Sequence, residues 1–203
     1  MQEIYLIRHS APFVELDNAD QPWDEINRNM ILSVKGEKNA EKLCHLKELK
    51  NPDQIYSSNS VRAISTSKYL AEKYNKKIIV DNRINERNFG IKYLKELPKD
   101  FTSNQFKDYD LKLKNGESYN EVNKRFSEFI NDILKLNNKK TVLFIHGVNL
   151  LVYLSNYCTV KYANKKFTVK YNNHTLMNGS LKNPHIYKLT FENKQIVNIE
   201  NLS

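Results

Sequence analysis

Residues 3–9, Glu3-Ile4-Tyr5-Leu6-Ile7-Arg8-His9, form an apolar run of strand length that stops on an arginine and a histidine. Residues 141–147, Thr141-Val142-Leu143-Phe144-Ile145-His146-Gly147, repeat the arrangement. Short continuous apolar runs of this kind suit strands buried on both faces. Working outward, helical and strand-like segments alternate. Val34–Leu49 predicts a helix with Ala40, Leu43, Leu46 and Leu49 tending to one side. Gln54–Ser57 predicts a short strand, and Val61–Tyr74 a helix in which Ala63, Ser67, Leu70, Ala71 and Tyr74 recur at helical spacing. Lys77–Asp81 predicts a third strand. Residues 93–114 are poorly periodic, contain Pro98, and read as a short helix within a covering loop.

The clearest helix is Ser118–Leu136. Tyr119, Val122, Phe126, Phe129, Ile130, Ile133 and Leu134 make one apolar face, and Ser118 with Glu121 has the spacing of a capping box. An apolar helix near Val148–Asn156 follows the second histidine. Ile186–Phe191 and Gln195–Ile199 predict two strands joined in a hairpin at Glu192-Asn193-Lys194. The alternation predicts an α/β fold of three layers, a mainly parallel central sheet with helices on both faces, in one domain over residues 1–203. Active sites in such sheets form beyond the carboxyl ends of the strands. Two of those ends carry histidine, and buried sheets rarely end in such groups without a chemical reason.

The 203 residues are 40% hydrophobic and 27% charged, a globular composition. No apolar run approaches the roughly 20 residues of a membrane span. Met1-Gln2-Glu3 lacks the basic, apolar pattern of a signal peptide, which predicts a cytoplasmic protein. Cys44 and Cys158 are isolated from each other and belong to no Cys-x-x-Cys pair, so they read as buried structural thiols. The net charge of +9 suits nucleic acid, an anionic membrane or an anionic substrate. Its lysines are spread through segments such as Asn75-Lys76-Lys77 and Asn138-Lys139-Lys140, as solvated surface is. No helix-turn-helix, zinc or aromatic-basic motif supports nucleic-acid binding. No Gly-rich loop supports a nucleoside triphosphate enzyme.

Two further segments carry chemistry. Ser57-Ser58-Asn59-Ser60-Val61-Arg62-Ala63 follows a strand and enters a helix, placing Arg62 in the first helical turn. A cation near a positive dipole end is unfavourable unless it faces an anion. Ile84-Asn85-Glu86-Arg87-Asn88-Phe89-Gly90 follows the third strand and offers a carboxylate for acid–base work.

In these residues the sequence resembles the histidine phosphatase superfamily, which includes the cofactor-dependent phosphoglycerate mutases. Leu6-Ile7-Arg8-His9 resembles its Arg-His-Gly signature, with Ser10 in the glycine's place. Leu32-Ser33-Val34-Lys35-Gly36 resembles the opening of its first helix. Ser57-Ser58 through Arg62-Ala63 and Thr66, Asn85 through Gly90, Gly116-Glu117-Ser118 with Arg125, and His146-Gly147 resemble its later motifs, in order. The resemblance implies a phosphoglycerate mutase-like fold. It implies His9 as a nucleophile that is transiently phosphorylated and Glu86 as general acid and base. Arg8, Arg62 and His146 become phosphate ligands, and no metal or other cofactor is required. His45, His174 and His185 fall outside these motifs.

Residues 11–15 lack the Asn that many mutases place after the histidine, and the stretch between Gly90 and Gly116 is short. Both departures favour a phosphatase acting on a small phosphorylated substrate over a phosphoglycerate mutase, and the presence of both nucleophile and acid disfavours a non-catalytic anion-binding protein. Substrate choice is expected from two walls, residues 13–29 with Trp23 and Arg28, and residues 92–114.

Overall fold

The structure, a computed structural model, describes residues 1–14 and 21–203. Residues 15–20 of the first expected wall, and Glu15 of the segment after the nucleophile, lie outside the described residues. The chain opens with β1 (Gln2–Arg8), α1 (Trp23–Asn29) and α2 (Val34–Leu43). Next come β2 (Gln54–Ser57), α3 (Val61–Lys73), β3 (Ile78–Val80), α4 (Phe101–Gln105) and α5 (Tyr119–Ile133). β4 (Lys140–Ile145) and α6 (Gly147–Leu154) precede β5 (Thr159–Ala163), β6 (Lys166–Tyr171) and β7 (His174–Gly179). β8 (His185–Glu192) and β9 (Gln195–Asn201) end the chain.

The main sheet has the order β3-β2-β4-β1-β8-β9. Its first four strands are parallel, whereas β8 runs antiparallel to β1 and β9 antiparallel to β8. Alternation along each strand divides the core in two. Ile4, Leu6, Leu143, Ile145, Tyr187 and Leu189 face one side, where Phe126, Phe129 and Ile130 of α5 and Leu150, Leu151 and Leu154 of α6 cover them. Tyr5, Ile7, Ile55, Val142 and Phe144 face the other, against Leu43 of α2 and Ala63, Leu70 and Ala71 of α3. Each large aliphatic or Phe side chain buried in this way stabilises the fold by about 1.5–3 kcal/mol. The expected α/β layering is therefore present. Among the described residues no helix is long and apolar enough to cross a membrane.

α5 begins as its sequence requires. Ser118 Oγ accepts from the Glu121 N–H at 3.2 Å, and Glu121 Oε2 accepts from the Ser118 N–H at 2.9 Å. The helix expected over Val34–Leu49 instead stops at Leu43. The Cys44 and His45 N–H groups bond the Glu41 and Lys42 carbonyls, tightening the last turn. Leu46 is then extended, and Lys47–Leu49 form a separate 3-10 turn. Leu49 still reaches the core, through that turn and not through a continuous helix.

Sequence periodicity assigned nothing to residues 159–179, where a second, antiparallel sheet of order β5-β6-β7 forms. Its hairpins turn on Asn164-Lys165 and Asn172-Asn173, all four residues with positive φ. That is the backbone hand of a two-residue hairpin turn, and asparagine tolerates it. Asn193-Lys194 turns the β8–β9 hairpin in the same way. Val169 and Met177 anchor the small sheet to the α5–α6 side of the core.

Candidate active site

β1 and β4 are adjacent, parallel and in register, with Arg8 opposite Ile145. The residues that follow the two strands therefore emerge side by side. The His9 and His146 rings lie 5.2 Å apart between centroids, at 61°. The His9 N–H continues the ladder to the Ile145 carbonyl at 2.9 Å.

His9 is 5% exposed. Its Nδ1 lies 2.8 Å from the Ser10 carbonyl, which can only accept, so Nδ1 carries the proton. Arg62 Nε donates to His9 Nε2 at 3.0 Å, so Nε2 presents its lone pair. Burial, then the nearby His146 and Arg62, hold the His9 pKa well below the ordinary histidine value. The ring is neutral in a single tautomer. Its loop is tied down on every side. Ser10 Oγ donates to the Gly36 carbonyl at 2.7 Å, the Ser10 N–H donates to Thr66 Oγ1 at 2.9 Å, and Asn183 Nδ2 donates to the His9 carbonyl at 2.9 Å. Serine in the glycine's place is thus accommodated by a hydrogen bond to α2.

Arg62, 3% exposed, stands at the second position of α3, and each of its three nitrogens is engaged. Nη2 donates to Asn27 Oδ1 at 3.0 Å and to His146 Nδ1 at 3.1 Å, and Nη1 donates to the Asn27 carbonyl. Two oxygens of α1 therefore occupy its terminal nitrogens. His146 is fully buried, and Ser58 Oγ meets its Nε2 at 2.8 Å. Since Nδ1 accepts from Arg62, Nε2 donates to Ser58. Burial and then Arg62 keep the His146 pKa well below its ordinary value. The 3.5 Å approach of Glu86 Oε2 to His146 is accordingly no ion pair. Among the described residues the cation paired with that carboxylate is Arg62, at 4.0 Å.

Arg8 Nη1 donates to the Leu181 carbonyl at 2.7 Å and more weakly to Lys182 at 3.3 Å. Its Nε is buried with no partner among the described residues, which leaves a donor edge unspent. Gly147 makes room for this arginine, because a Cβ there would sit 3.1 Å from Arg8 Nε and 3.2 Å from Leu181 Cδ1. Gly147→Ala is expected to displace Arg8 and lower kcat/KM by roughly 10- to 100-fold, as misplacing a positioning group does. Steady-state kinetics on an aryl phosphate checks this.

The Glu86 loop is held by the other motif residues. Gly90 has φ +73°, and a Cβ on it would lie 2.2 Å from the Gly116 nitrogen, so loop and α5 start meet backbone to backbone. Glu117 accepts from Arg125 Nε at 2.7 Å and from the Asn88 N–H at 2.9 Å. Arg87, 3% exposed, donates to Gln105 and Tyr119 and fixes the loop to α4 and α5.

All five residues singled out in the sequence, Arg8, His9, Arg62, Glu86 and His146, thus converge. Asn27, Ser58, Thr66 and Asn183 were given no role there. Ser58 and Thr66 lie within a quoted motif, while Asn27 and Asn183 carry no local signal. His185, outside the motifs, is buried directly across the sheet from Arg8, and burial lowers its pKa to about 4.

The sequence profile described as "Histidine phosphatase superfamily (branch 1)" matches residues 4–192. Phosphoserine phosphatase 1 of Hydrogenobacter thermophilus is 26% identical over 157 residues, covering 71% of this chain and 70% of the relative. Mycobacterial glucosyl-3-phosphoglycerate phosphatase shares the fold at TM-score 0.71 and 16% identity, covering 100% of this chain and 98% of the other. A mutant phosphoserine phosphatase from Entamoeba histolytica, solved with phosphoserine, shares it at TM-score 0.66 and 21% identity, covering 100% and 96%.

Proposed function

The chain belongs to the histidine phosphatase superfamily, branch 1, and from that premise we propose that it hydrolyses phosphate monoesters of small anionic metabolites with His9 as the nucleophile. One observation carries the reading. His9 Nδ1–H is tied to a carbonyl while the Nε2 lone pair faces a guanidinium within a buried cationic cup. A phosphate monoester repels nucleophiles through its negative charge, so catalysis must neutralise that charge and align the attack. Arg62 does both once phosphate oxygens replace the two Asn27 oxygens on its terminal nitrogens. The unspent edge of Arg8 supplies further donors.

The Nε2 lone pair attacks phosphorus, and the bond from phosphorus to the ester oxygen breaks. Glu86, entering this step as the acid, gives its proton to the departing oxygen. As the carboxylate it then takes a proton from water, whose oxygen attacks phosphorus and breaks the P–N bond. Phosphate leaves, His9 is again neutral, and Glu86 is again protonated. The arginines supply the positive charge that a metal ion provides in other phosphatases. The relatives named above are phosphatases of small phosphorylated metabolites, which favours hydrolysis over transfer between phosphoglycerates.

Glu86→Gln tests the acid role. For an alkyl phosphate, whose alkoxide leaves poorly, kcat/KM is expected to fall about 10²- to 10⁴-fold. For p-nitrophenyl phosphate, whose phenolate leaves unaided, the fall is expected to be at least tenfold smaller. Equal losses on both esters would remove Glu86 from that role.

A further inference from the structure

We infer that the pocket beside Glu86 receives the head group of an O-phosphorylated α-amino acid, with Asp24 meeting its ammonium and Arg28 its carboxylate. The inference rests on the phosphatase reading and names the leaving group. A cavity of about 150 Å³ lies beside the proposed acid, bounded by Glu86 on one side and α1 on the other. Pockets for drug-sized ligands run from roughly 300 to 1,000 Å³, so this one suits a leaving group of only a few heavy atoms. All nine described lining residues are polar, which disfavours an aryl or lipid group.

Asp24, Asn27 and Arg28 recur at i, i+3 and i+4 on α1, and all three line the cavity. They share one helix face. In the structure Asn27 bonds Arg62, which places this face beside the phosphate cup until phosphate takes Asn27's place on the guanidinium. Asp24 and Arg28 have the spacing and order of a stabilising helical ion pair. They form none, and neither has an ion-pair partner among the described residues. An anion and a cation without an ion-pair partner among the described residues, a helical turn apart, complement a small zwitterion. An α-amino acid presents its ammonium and carboxylate on a single carbon, so its head group bridges the two side chains. A leaving group bearing a carboxylate alone would leave Asp24 unmatched, and one bearing an ammonium alone would leave Arg28 unmatched. Discrimination by a matched polar group exceeds what an apolar pocket of this size achieves.

The test compares kcat/KM on four esters: phosphoserine, phosphoethanolamine with the ammonium alone, 3-phosphoglycerate with the carboxylate alone, and p-nitrophenyl phosphate. Wild type is expected to prefer phosphoserine at least tenfold over each half-matched ester. Asp24→Asn should cut the phosphoserine to 3-phosphoglycerate ratio at least tenfold, and Arg28→Gln the phosphoserine to phosphoethanolamine ratio likewise. Both side chains are exposed, so the variants keep the fold, and circular dichroism checks that. Ready hydrolysis of p-nitrophenyl phosphate without preference for phosphoserine, or with ratios unmoved by either substitution, overturns the head-group assignment alone. Absence of turnover on all four esters overturns the phosphatase reading and this inference with it.

Discussion

His9→Ala is expected to reduce hydrolysis of an aryl phosphate by at least roughly 10⁴-fold, the scale of loss when a nucleophile is removed. No neighbouring group can replace it. His146 offers no free lone pair, since its Nδ1 accepts from Arg62 and its Nε2 meets Ser58. The loop should survive, because Ser10, Thr66, Gly36 and Asn183 hold its backbone independently of the imidazole. Near-native circular dichroism with lost turnover is therefore the expected pair of readouts. Wild-type protein quenched during turnover of a radiolabelled ester should carry phosphate on nitrogen, retained in alkali and released by acid. Full activity in His9→Ala would sink the mechanism.

Arg62→Gln is expected to cost about 10³-fold or more in kcat/KM, the range for losing a charge-stabilising group in phosphoryl transfer. Arg62→Lys keeps the charge but not the planar fork, so an intermediate loss is expected. A second signature concerns pH. Arg62 is one of the groups that depress the His9 pKa, and attack requires neutral His9. Removing that cation raises the His9 pKa toward its ordinary value of about 6.5. Protonation then begins at higher pH, and the acid limb of the residual activity moves upward. A pH–rate profile of kcat/KM measures the shift, with thermal unfolding run alongside because Arg62 is buried. A loss below tenfold with an unmoved acid limb would remove Arg62 from both roles.

Much of this site is legible in the chain because its chemistry sits where regular elements end. A strand that stops on Arg8-His9, another that stops on His146, and a helix that opens with Arg62 are local patterns. Each has a physical reason to face an anion. The small sheet of β5–β7 escaped notice because its hairpins turn on Asn-Lys and Asn-Asn, not on the Asn-Gly pairs that mark such turns most clearly. The second helix ended early because hydrophobic spacing cannot tell a continuous helix from a helix followed by a 3-10 turn that delivers Leu49 to the same core.

By itself the sequence determined the layering, through apolar periods of two and of helical spacing, and it singled out the five residues that the fold brings together. Only the tertiary structure decided the state of those residues. The tautomer of His9 depends on the carbonyl of the next residue and on a guanidinium 53 positions away in the chain. The neutrality of His146 depends on complete burial. The occupation of Arg62 by Asn27, and the meeting of Asp24 and Arg28 with Glu86 around one cavity, depend on how α1 packs over the strand ends. Hydrogen-bond partners, desolvation and facing charges are properties of neighbours in space, and a one-dimensional pattern does not list them.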